Sequence, residues 1–213
     1  MATTVKTLIA LGIASLALAA GSAPAEAGDW IIRGGATYVV PKDFNTSFGD
    51  TGSVEFNVSD EVTFGFNVTW MFHDNWGIEL LGVIPPRHSV MAPAIADVEI
   101  MSAEVLPPTL SLQYHFLPDG RFRPYIGIGM NYTMFSNEKI IEGTLKIDNS
   151  TGFAADLGAD IALGERWVVN IDIRYLQMDL TAQQTIDEDV YPKETFSIDP
   201  MVYSLMIGYR FGN

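Results

Sequence analysis

An eight-stranded antiparallel transmembrane β-barrel, all-β with short periplasmic turns and four long extracellular loops, is the fold that three observations predict for this 213-residue chain. Apolar residues recur with period two along eight separate runs. The connections between the runs alternate short and long. Beyond the N-terminus, no segment has the continuous apolar length of a membrane helix, roughly 20 residues.

The N-terminus reads as an export signal. Lys6 precedes the apolar run TLIALGIASLALAA, and Ala25, Glu26 and Ala27 supply small residues at cleavage spacing. Residues 1–27 are expected to be a signal peptide removed after Ala27, leaving a single barrel domain over 28–213; an uncleaved anchor is the alternative. The chain has no cysteine, so packing, backbone hydrogen bonds or a membrane must hold the exported domain. A formal net charge of −14 excludes the basic footprint of a nucleic-acid-binding protein.

The eight runs cover about 29–41, 61–73, 76–86, 106–117, 123–135, 152–163, 167–178 and 197–211. In the first, Trp30, Ile32, Gly34, Ala36, Tyr38 and Val40 share a face. The second, VTFGFNVTWMF, sets Val62, Phe64, Phe66, Val68, Trp70 and Phe72 against Thr63, Gly65, Asn67, Thr69 and Met71. The fifth aligns Ile126, Ile128, Met130, Tyr132 and Met134, and the seventh Trp167, Val169, Ile171, Ile173 and Tyr175. The last aligns Met201, Tyr203, Leu205, Ile207, Tyr209 and Phe211. HDNW, LPDGR and GER are tight turns, whereas 42–60, 87–105, 136–151 and 179–196 are long. About eleven residues at ~3.3 Å rise and ~45° tilt cross roughly 25 Å, the apolar band of an outer-membrane barrel. Aromatic residues gather at strand ends, as interfacial girdles do. A soluble sandwich shares the alternation, but its outward face is charged, and here the second face carries Gly, Ala, Thr and Asn. The apolar face is therefore read as facing lipid.

Parity then assigns the interior. Toward the short turns it holds Arg33, His73, Glu79, Gln113, His115, Tyr125, Asp160, Asn170, Asp172, Arg174 and Arg210. Arg33, Arg174 and Arg210 against Glu79, Asp160 and Asp172 form a polar plug, because charges inside a narrow barrel must be paired. Toward the long loops the inward residues become Val39, Leu81, Val83, Leu176, Met178 and Val202. Such a mouth suits a small hydrophobic guest; simple filling is the alternative. Pro85 and Pro86 end the third strand, and Pro107 and Pro108 open the fourth. Proline removes a ladder donor, so pairing should break there. Such a break either forms a lateral gap or merely punctuates the strands.

Acidic residues crowd the long loops, among them Asp43, Asp50, Glu55, Asp60, Glu99, Glu138 and Asp187–Asp189. They form a solvated outer surface, or a fringe sharing divalent cations with lipopolysaccharide. The segment SVMAPAIADVEIMSAEV at 89–105 is unusually apolar for an exposed loop and is expected to be a lid or to lie on lipid. No nucleophile elbow, metal-ligand cluster or phosphate loop accompanies the three histidines, so neither catalysis nor a cofactor is expected.

LPPTLSLQYHF at 106–116, FRPYIGIGMNYTMF at 122–135, NIDIRY at 170–175 and the terminal GYRF together resemble the OmpW family of outer-membrane proteins. The resemblance covers nearly the whole mature chain. It implies a barrel closed toward the periplasm, with an apolar outer lumen that, like the related AlkL-type proteins, admits small hydrophobic molecules and releases them laterally. A passive surface barrel serving adhesion, envelope integrity or phage and bacteriocin docking is the alternative. The resemblance also implies a monomer in outer-membrane lipid, assembled by the barrel-assembly machinery through a terminal aromatic, here Phe211. Two departures stand out: Pro86 occupies a position where an aromatic is expected, and Gly212 and Asn213 follow Phe211.

Overall fold

The structure is a computed structural model that describes residues 26–47, 53–93 and 96–212. The expected signal peptide lies outside the described residues except for Glu26 and Ala27, as do Asp50 and Asn213. In chain order the strands are β1 (Trp30–Val40), β2 (Phe44–Ser47), β3 (Ser53–Val58), β4 (Glu61–His73), β5 (Trp76–Val83) and β6 (Arg87–Ala92). Next come β7 (Ala96–Leu106), β8 (Thr109–His115), β9 (Phe122–Ile140), β10 (Thr144–Asp148) and β11 (Ser150–Ala162). The chain ends with β12 (Trp167–Leu176), β13 (Asp179–Ile186), β14 (Asp189–Val190), β15 (Glu194–Ser197) and β16 (Met201–Phe211).

The eight runs with period two become β1, β4, β5, β8, β9, β11, β12 and β16, each paired antiparallel to the next, and β16 returns to β1. That closing ladder is continuous from Trp30↔Phe211 to Val40↔Met201. Closure leaves no sheet edge, which is what allows strands to sit in hydrocarbon, where water cannot satisfy stray backbone groups. The outward face is an apolar belt: Ile128 is 60% exposed and Leu157 58%. Rings cluster at the short-turn end of that belt, where Trp30 stacks on Trp70 at 6.0 Å and Trp167 meets Tyr209 edge-on at 5.0 Å. At the other end Tyr38 lies 6.3 Å from Tyr203.

The four long connections are themselves largely strand. Period-two burial continues through RHSVMA, so β6 and β7 extend the wall instead of looping away. Among its described residues the 89–105 segment is wall rather than lid: Val90, Ala92, Ala103 and Val105 point into the extended barrel. Its outer face there carries Arg87, Ser89 and Glu99, which places this tier above the apolar belt. His73 also departs from expectation. Met71 keeps the inward parity and is buried, but a bulge between Met71 and His73 shifts the register and leaves His73 exposed.

Candidate functional site

The lumen has two tiers built from the same inward parity. In the lower one, β1 presents Arg33, β4 Asn67 and Thr69, and β5 Glu79; β9 adds Tyr125, β11 Asp156 and Asp160, and β12 Asn170, Asp172 and Arg174. Arg33 forks onto Asp160 through Nε at 2.9 Å and Nη2 at 2.5 Å. Its Nη1 donates to Asn67 and Thr69 at 3.0 and 2.6 Å and stands 3.5 Å from Glu79. Arg174 donates to the other Glu79 oxygen at 2.5 Å and lies 3.5 Å from Asp172. The Tyr125 hydroxyl donates to Asp172 at 3.0 Å, and Asn170 donates to Tyr125 and Asp160 at 3.0 and 2.9 Å.

These bonds close a ring from Arg33 through Glu79, Arg174, Asp172, Tyr125, Asn170 and Asp160 back to Arg33. The ring pairs every one of its charges, although the Arg174–Asp172 link is an ion pair without a hydrogen bond and Arg174 Nε and Nη1 have no hydrogen-bond partner among the described residues. Arg33 and Arg174 are each 1% exposed, so at this height side chains fill the barrel. Beneath the ring, Ile31, Met71 and Val168 form a small apolar floor.

Two details depart from parity reasoning. Arg210 stands apart from the ring; it pairs with Asp29 at 3.5 Å and donates to the Glu165 carbonyl at 2.7 Å, at the short-turn rim. Asp156 takes part instead, 3.8 Å from Arg174 and accepting from Gln113 at 3.0 Å. It lies two pleats from Asp160, so the same period that located Asp160 also points to it.

The upper tier is a cavity with about 630 Å³ of empty space counted out to its mouth, of which about 40 Å³ can hold the centre of a water-sized sphere. It is a slim cleft. Val39, Val83, Leu176 and Met178 border it. Val202 packs in the same apolar cluster behind the lining, and Leu81 is buried but lies outside both. Most remaining lining comes from the long connections, namely Val58, His88, Val90, Met101, Ala103, Val105, Ile147 and Leu180, with Phe135 and Ile198 from strand ends beside them. Period two in RHSVMA and the apolar 89–105 run were the available signals. Above, Phe44 stacks between Phe56 at 5.3 Å and Phe196 at 4.5 Å.

The wall beside this cavity is interrupted. β5 and β8 pair from Trp76↔Tyr114 up to Leu81↔Thr109 and no further. Pro85, Pro86, Pro107 and Pro108 carry no N–H, so the ladder has no donors at those positions. Pairing resumes between β6 and β7 at Arg87↔Glu104, and the Val105 N–H donates to the Pro86 carbonyl at 3.0 Å just below it. The far edges stay attached, with the Ile84 N–H on Phe64 O at 2.9 Å and the Tyr132 N–H on Pro108 O at 3.0 Å. The four prolines therefore flank a break in the ladder that is bounded above and below, not a frayed rim. Val83, Pro86, Val105 and Pro107, at or beside this break, also line the cavity.

The OmpW family model matches residues 26–211. The sequence is 33% identical to outer membrane protein W of Escherichia coli K12, with 97% of this chain and 100% of that protein covered. It is 30% identical to the dibenzothiophene metabolism operon protein PahQ of Pseudomonas aeruginosa over 75% of each chain. The crystal structure of the outer membrane protein OprG from Pseudomonas aeruginosa superposes with a TM-score of 0.80 at 31% identity, covering 89% of this chain and 99% of that one.

Proposed function

Because the chain belongs to the OmpW family and is an outer-membrane β-barrel, we propose that it admits small hydrophobic molecules into its upper lumen and releases them sideways into the membrane. The observation that carries this reading is the coincidence of the cavity with the break in the β5–β8 ladder at Val83, Pro86, Val105 and Pro107. Below the cavity the charged ring fills the barrel, so the side is the exit open to an apolar guest. A slim, almost wholly apolar cleft matches flat or linear hydrocarbons, since burial of apolar surface is its main source of affinity. The name of the PahQ relative, which ties it to dibenzothiophene metabolism, is consistent with aromatic guests. Family members and the structural neighbour are outer-membrane barrels, not enzymes. Lipopolysaccharide contact at the acidic outer rim and assembly through the strand ending at Phe211 belong to the same reading.

The test uses refolded protein in liposomes, comparing entry of naphthalene with entry of a sugar of similar size. Selective entry of naphthalene is expected. Leu176→Lys, which sets an ammonium at the cavity wall, should slow that entry roughly tenfold or more, because an unpaired charge in an apolar space costs several kcal/mol. Equal entry of both solutes, or of neither, would instead support a passive surface barrel.

A further inference from the structure

All but two of the side chains bordering the upper cavity are apolar; the exceptions are His88 and Ser102. Ser102 is engaged, since its hydroxyl donates to Glu99 at 2.6 Å and accepts from Arg87. His88 is engaged at one nitrogen. Its Nδ1 lies 2.7 Å from the Ser59 carbonyl oxygen. A carbonyl only accepts, so Nδ1 carries the proton, and in a neutral imidazole Nε2 is then a lone-pair acceptor. Among the described residues Nε2 has no hydrogen-bond partner, although His88 is only 7% exposed. Nε2 keeps some accessible surface, so an apolar guest that covers it leaves the acceptor unpaired, which is costly, whereas a guest that brings a donor avoids that cost.

We propose that His88 Nε2 is the polar subsite of the upper lumen, selecting apolar guests with one neutral hydrogen-bond donor, such as monohydroxylated aromatics and alkanols, over hydrocarbons of equal size. The proposal rests on the uptake reading above and narrows its substrate class. Carboxylates are disfavoured at the same place: they bring no donor, and the nearby Arg87 is committed outward to Glu99 and Ser102. A site that binds a hydroxyl discriminates against the analogue lacking it because its own polar group is then left unpaired. His88 pairs with Ala103 of β7, just above the bond that bounds the break in the ladder. A guest anchored by its hydroxyl there has its apolar body beside the exit.

The experiment measures entry of 1-naphthol, 1-methoxynaphthalene and naphthalene into phosphatidylcholine vesicles containing the full chain, each relative to protein-free vesicles. In the wild type, 1-naphthol should be enhanced about three- to tenfold over both donor-free probes, the size of one net hydrogen bond. His88→Phe should remove the preference by slowing 1-naphthol alone, and His88→Gln, whose amide oxygen accepts, should keep part of it. Equal enhancement of 1-naphthol and its methyl ether in the wild type overturns the proposal without any variant. A preference that survives His88→Phe overturns it as well. Enhancement of no probe overturns the uptake reading together with the subsite.

Discussion

The lower and upper halves of the lumen are built on the same inward parity, yet one is filled and the other hollow. In the lower half the inward residues are long and branched, with guanidiniums, carboxylates and a phenol that both fill the bore and pair with one another. In the upper half all but His88 and Ser102 are apolar, and they leave a cleft with no charged pair to bridge it. The wall changes at the same height: the β5–β8 ladder is unbroken beside the ring and stops at Leu81↔Thr109 beside the cavity. An eight-stranded barrel is just wide enough for side chains to decide whether it is open. Here the change from closed to open takes a few residues along each strand.

The strongest way to break this comparison is to remove a cation from the ring. Arg174→Met leaves Asp156 and Asp172 without their cationic partner, while Glu79 keeps Arg33 at 3.5 Å. Breaking a buried pair from one side costs about 3–5 kcal/mol, to be read from denaturant unfolding in vesicles. The selectivity for naphthalene over sugar should survive in the molecules that remain folded. Unchanged stability would mean that the ring is filling without electrostatic cohesion. A smaller effect is expected at Gly158, against which the Tyr125 ring lies so closely that a Cβ would collide with it. Gly158→Val should cost about 1–3 kcal/mol through overpacking and a displaced Tyr125, visible as a lower denaturant midpoint.

The barrel and its lower half were largely legible in the sequence because period two is a local signal. Once Trp30 and Ile32 face lipid, Arg33 has nowhere to point but inward, and the same holds for Asp160 and Arg174. Which inward charges would meet was not legible: Arg210 shares the parity of the ring but sits at the rim beside Asp29, a matter of height rather than face. His73 was misplaced because a bulge moves the register by one residue without any Gly or Pro to mark it. The upper half was the least legible. Much of its lining comes from segments read as loops, where shorter runs such as RHSVMA give too few repeats to separate strand from coil, and the pairing of β3 with β6 and of β7 with β9 joins segments far apart in sequence. The prolines, by contrast, announced the break in the wall directly, since a missing N–H does not depend on context.

The smallest expected effect concerns the one imidazole of the upper half and sharpens the contrast from that side. Burial among apolar residues pushes the His88 pKa below its ordinary value, and it outweighs the opposing bond to the Ser59 carbonyl and the carboxylates of Glu61 and Asp60. Arg87, next to His88 on β6, and Glu99 and Ser102 on the neighbouring β7 are bound to one another. Above the usual imidazole range, about pH 6.5, His88 is neutral folded or unfolded and contributes no pH dependence. As the pH falls through that range the unfolded chain takes up its proton first, the native state lags, and stability is lost. Unfolding free energies in vesicles at about pH 7.5 and pH 5 should therefore fall more steeply for the wild type than for His88→Gln, with the two proteins similar at the higher pH. Parallel profiles would mean that the upper cavity admits enough water to solvate an imidazolium. The apolar tier would then be wetter than its lining implies, and its difference from the charged ring correspondingly smaller.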